Sequence, residues 1–122
     1  MRIGKALTLT AVLLTPANLG YAYNVQDLLG KCDAALDDEI NLDAVFCMGV
    51  VEGVTTIARH NCESKLHGWN PYHRFTSEAD ATNGAIMQTF VNWARANPSQ
   101  WDIPAAVGMA VALSKAFPCT NE

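Results

Sequence analysis

Asp43-Ala44-Val45-Phe46-Cys47-Met48-Gly49-Val50-Val51-Glu52-Gly53-Val54, continuing to His60, is the stretch whose reading decides the fold. Phe46, Cys47, Val50, Val54 and Ile57 recur at helical spacing. They predict one helix over Asp43–His60 with those side chains facing inward. Gly49 and Gly53 fall in mid-helix, where each costs ~1 kcal/mol against alanine. The expected return is close packing against another helix of a small bundle. Flanking charges exclude the membrane version of this small-residue motif.

Upstream, Val25, Leu28, Leu29, Cys32, Ala35 and Leu36 form a second apolar stripe. It predicts a helix over Asn24–Leu36, capped by Asn24, with Asp27 favoured by the helix dipole. Asp37-Asp38-Glu39 ends it as a solvated acidic turn. Downstream, 61–75 reads as a loop holding Gly68, Asn70, Pro71, three aromatics and two histidines. A third helix is expected to start near Thr76-Ser77, with Glu78 and Asp80 in its first turn. Its inward face is Ala81, Ala85, Ile86, Phe90, Trp93 and Ala94, and Asn97-Pro98 stops it. A fourth opens at Pro104, continues through Ala106, Val107, Ala110, Leu113 and Phe117, and ends at Pro118. No alternating β-run competes. The expected fold is all-α, a small four-helix up-down bundle with two disulfides.

Residues 1–22 read as a signal peptide. Arg2 and Lys5 precede a short apolar run from Ala6 to Leu14, and Gly20-Tyr21-Ala22 offers small residues for cleavage. The run is shorter than the ~20 residues a membrane span needs. The mature chain, 23–122, is expected to form a single domain, periplasmic and free of the membrane after cleavage. Two of the eight basic residues lie in the leader, so six remain against twelve acidic ones, a net charge of −6. No basic face for nucleic acid is expected.

Four cysteines behind an export signal read as a disulfide framework: Cys32, Cys47, Cys62 and Cys119. Cys32 and Cys47 face each other across a helical hairpin. Cys62 follows the second helix and Cys119 the fourth, ends that share one pole in an up-down bundle. The expected bridges are therefore Cys32–Cys47 and Cys62–Cys119, each worth about 2–4 kcal/mol. His60, Cys62, His67 and His73 lie close in sequence, but their spacing is not that of structural zinc, and no metal or cofactor is expected. No nucleophile elbow, zinc-protease helix or phosphate loop is present, so no catalytic residue is assigned.

Phe46-Cys47-Met48-Gly49-Val50-Val51-Glu52-Gly53 resembles the signature of the Tai/Rap-type immunity family. Ala96-Asn97-Pro98, Ile103-Pro104-Ala105-Ala106, Ala112-Leu113, Ala116-Phe117-Pro118-Cys119, and Leu28-Leu29 before Cys32 are similar to that family as well. The chain departs from it at Val50, where an aromatic is usual, and at Cys62, which comes early in its loop. The resemblance implies a periplasmic, commonly homodimeric protein that carries out no reaction. It implies inhibition of a peptidoglycan amidase delivered by type VI secretion, a cysteine/histidine hydrolase whose cleft a loop or helix end occludes. The competing readings are a periplasmic stress chaperone and a small helical ligand carrier.

The expected partner-binding segment is Pro98-Ser99-Gln100-Trp101-Asp102. Pro98 and Pro104 restrict it, and an ordered loop loses less entropy on binding. Ser99 and Gln100 suit a polar cleft, Trp101 an apolar anchor, and Asp102 a protonated histidine. The second-choice surface is the aromatic loop at Trp69 and Tyr72.

Overall fold

The computed structural model describes residues 23–37, 40–63 and 81–119. The leader, Trp69, Tyr72, His67 and His73 lie outside them. Among the described residues there are four α-helices and no strand: α1 Val25–Ala35, α2 Leu42–Glu63, α3 Asn83–Ala96 and α4 Ala105–Ala116, with a single 3-10 turn at Pro98–Gln100. They pack as the expected all-helical bundle, with α1 lying against each of the other three helices. Leu28, Cys47, Val51, Phe90, Met109 and Leu113 are among its fully buried side chains.

α1 starts where its cap dictates. The Asn24 side chain accepts from the Asp27 amide at 2.9 Å, and the Asp27 carboxylate accepts from the Asn24 amide at 3.2 Å. This reciprocal box satisfies two donors that an open helix end leaves bare. α2 is longer than the sequence predicts. Asn41 caps it by accepting from the Ala44 amide at 2.8 Å. Nothing in His60-Asn61-Cys62-Glu63 breaks a helix, so Cys62 lies in the last turn instead of after it. The expected start of α3 near Thr76-Ser77 is corrected as well. Ala81 and Thr82 are not helical, and the Thr82 hydroxyl caps the helix by accepting from the Ala85 amide at 3.2 Å. Thr76–Asp80 lie outside the described residues.

The buried face of α2 is rotated from the expected one. Cys47, Val51 and Ala58 point inward, while Phe46, Val50 and Val54 lie at the margin and Ile57 is 63% exposed. Gly49 and Gly53 therefore face outward, and a Cβ built on either meets nothing within 4 Å. The expected internal close packing at these glycines does not occur. It occurs at Gly108 of α4, where a Cβ would overlap the Val25 side chain and approach Trp93 Cζ3 to 3.3 Å. In α4 the expected Ala110 and Leu113 are buried, with Phe117 packed against the core, joined by Gly108, Met109 and Ala112, while Ala106 and Val107 are exposed.

All four cysteines are bridged. Cys32 joins Cys47 across the α1–α2 hairpin at a Cα separation of 5.1 Å. Cys62 joins Cys119 at 5.9 Å, tying the last turn of α2 to the chain beyond α4. Both separations suit a disulfide. Two surface ion pairs brace α1. Lys31 meets Asp43 of α2 at 2.8 Å, and Arg95 of α3 meets both oxygens of Asp33 at 2.7 Å.

Candidate functional site

The segment between α3 and α4 is built from the end of α3 outward. Asn97 precedes a proline and leaves the helix at φ −127° and ψ 61°. Its side chain turns back and donates to the Trp93 carbonyl at 2.8 Å. The next residues form a tight turn. Gln100 N–H donates to Asn97 O at 2.9 Å, and Trp101 N–H to Pro98 O at 3.2 Å. Trp101 is half-buried, packs against the core and donates its indole N–H to Ala94 O at 2.8 Å. The tryptophan thus fastens the turn to the last carbonyls of α3, groups a helix end leaves without a partner.

The far side of the segment is fastened to the start of α1. Val25 N–H donates to Ile103 O at 3.0 Å, and Gln26 N–H to Trp101 O at 3.2 Å. Ala105 N–H, the first amide of α4, donates to Tyr23 O at 2.8 Å. Asn24 and Pro104 form an isolated antiparallel bridge there. Tyr23 is itself held: its ring lies 4.6 Å from that of Phe46, and Lys31 Nζ stands 5.3 Å from both ring centroids.

Of the five residues singled out in the sequence, Pro98, Ser99, Gln100 and Asp102 are exposed on one short turn. Trp101 is spent on the bundle, so the outward tip is polar. Asp102 does not cap α4, which starts at Pro104–Ala105 without a side-chain cap. Trp69 and Tyr72 lie outside the described residues. Sequence reasoning missed Tyr23–Gln26 as partners of this turn. No side-chain pattern marks them, because the joining groups are backbone amides and carbonyls.

The turn presents Pro98, Ser99, Gln100 and Asp102 outward from an anchored frame. Cys62, the one cysteine near a histidine in sequence, is bridged to Cys119 and has no thiol to act as nucleophile or ligand. Among the described residues no group of three or more histidine, cysteine or acidic side chains is placed to hold a metal ion. No helix among them is long and apolar enough to cross a membrane.

Comparison with curated proteins and with solved structures finds no match. The family described as Rap1a immunity proteins matches residues 24–119, from the cap of α1 to the last cysteine. That match spans all four helices, both bridges and the α3–α4 turn, and the chain belongs to the Rap1a immunity protein family.

Proposed function

We propose that this protein is a periplasmic immunity protein that binds a type VI secretion peptidoglycan amidase and blocks its catalytic cleft with the α3–α4 turn. Family membership makes it an inhibitor with a protein effector as its partner. The observation that carries the turn is its anchored frame: the four exposed residues lie between Asn97, Trp101 and Ile103, which are bonded to α3 or to α1. Little conformational freedom is left to lose on binding, so more of the contact energy appears as affinity. Ser99 and Gln100 offer donors and acceptors to a polar cleft, and Asp102 offers a charge to a protonated histidine. Two disulfides and a leader-like segment at residues 1–22 support an oxidising compartment.

The test is the double variant Ser99→Ala/Gln100→Ala, titrated against a peptidoglycan amidase effector that the wild-type protein binds. Trp101 stays in place, because removing it would unfasten the turn. If these side chains lie at the centre of the interface, their loss raises Kd about tenfold or more, with helical content unchanged. An unchanged Kd removes the turn from the site and moves attention to Trp69 and Tyr72.

The protein is further proposed to act as a homodimer, with Val45, Met48 and Ile57 on the outer side of α2 offering exposed apolar surface. Light scattering at micromolar concentration should give twice the chain mass. A single-chain mass rejects the dimer and leaves the inhibitory reading intact.

A further inference from the structure

We propose that Tyr23–Gln26 is a strap that sets the α3–α4 turn in its binding shape before the partner arrives, which makes Asn24 and Asp27 positioning residues for inhibition. This rests on the proposed role of that turn. The argument starts from helix ends. An α-helix leaves its first amides without internal partners. Two such amides of α1, on Val25 and Gln26, are taken by the carbonyls of Ile103 and Trp101. One such amide of α4, on Ala105, is taken by the carbonyl of Tyr23. The two helix starts therefore satisfy each other through the turn, in an exchange that needs both backbones in register. A 3-10 turn of three residues has weak internal bonds and does not hold a shape unaided. Trp101 fixes the near end onto α3. The far end, from Trp101 to Ala105, is fixed by the backbone bonds of the strap together with the core packing of Ile103 and Ala105.

The strap in turn depends on its own cap. Asn24 keeps an extended backbone, φ −92° and ψ 178°, through the paired bonds with Asp27. That conformation aims the Tyr23 carbonyl at Ala105 and sets Asn24 against Pro104. Without the box, the backbone of residues 23–24 is held only through the Tyr23 ring against Phe46 and Lys31, and its bonds to the turn open more often. The far end of the turn then samples other shapes, and only the fraction in the right one can bind. Such a loss slows association. It leaves dissociation alone, because the bound contacts on Ser99, Gln100 and Asp102 are unchanged.

The experiment compares the wild-type protein with Asn24→Ala and Asn24→Ser in two arms. The first arm is native-state hydrogen exchange without any partner. Asn24→Ala should speed exchange at Val25, Gln26 and Ala105 together, by about fivefold or more for a lost cap, and Asn24→Ser should restore protection because serine caps equally well. The second arm is binding kinetics with the cognate amidase. Association with Asn24→Ala should slow by a similar factor at an unchanged dissociation rate, again restored by serine. A melting curve confirms that both variants are folded at the assay temperature. Unchanged exchange overturns the strap whatever the binding shows. Faster exchange with a wild-type association rate overturns the positioning role. If the wild-type protein binds no amidase, the inhibitory reading fails and the positioning role with it, while the exchange arm still decides whether the strap exists.

Discussion

Two glycine classes show how much a single residue's setting decides. Gly108 sits where α4 crosses the start of α1, and a methyl there collides with Val25 and crowds Trp93. Val25 is fully buried and β-branched, so it has little room to turn away. Gly108→Ala is expected to lower stability by about 1–3 kcal/mol, the usual cost of overpacking a filled site. A urea titration reads it, and a gain in stability would show that Val25 yields. A second expectation at this scale concerns Lys31. Its hydrogen bond to Asp43 raises its pKa above the ordinary lysine value, against a smaller opposing effect of burial. A pKa higher in the folded state means the tie is complete below the unfolded value of about 10.4 and is lost as pH rises through the folded value. Melting temperature should therefore fall more steeply between pH 10 and 12, as approximate bounds, in the wild-type protein than in Lys31→Met. Parallel curves would remove the contribution.

At the scale of the element, the helices and the inward faces of α1 and α3 were largely legible, and the rotation of α2 was not. Caps are local chemistry, so Asn24 and Leu36 bound α1 as its sequence predicts. α3 starts later than expected because Thr82 offers the same hydroxyl as Thr76 and lies closer to the apolar run that begins at Ile86. The phase of α2 failed for a different reason. Val45, Met48, Val50, Val54 and Ile57 surround the helix with apolar groups, so periodicity alone does not choose an inner side. In the structure Cys47, bridged to Cys32, stays inward as expected, and it is Val51 and Ala58 that share its side of the helix. The glycine row then faces outward. Since neither glycine touches a neighbour, Gly53→Ala is expected to raise stability by roughly 0.5–1 kcal/mol through helix propensity alone. Denaturant unfolding checks it. A loss would mean that another surface needs the space. The α3–α4 turn was legible from its prolines and polar tip, whereas its clamp on α1 was not, because backbone pairing between distant segments leaves no mark in either one.

At the scale of the whole molecule, the two disulfides divide the work unequally. Cys32–Cys47 spans a sequence separation of 15 and joins two helices that a short connection already keeps together. Cys62–Cys119 spans 57 and ties the end of α2 to the end of the described chain, enclosing α3, the turn and α4. In the chain-entropy account the first closure is worth about 3 kcal/mol and the second about 4. Either is a large share of the roughly 5–15 kcal/mol by which a domain is stable. The two also differ in what they protect. α4 reaches the rest of the molecule through its own packing, through the strap at Ala105 and through Cys119 at its far end. With the second bridge gone, the C-terminal end of α4 loses its covalent tie to α2. The strap still fixes its first turn and, with it, the candidate binding segment. Cys62→Ala/Cys119→Ala is therefore expected to cost more stability than Cys32→Ala/Cys47→Ala in a urea titration. Hydrogen exchange should quicken first near Leu113 and Phe117, and only later at Ala105. Simultaneous loss of protection along all of α4 would show that the helix opens as one unit and that its two ends are not held separately.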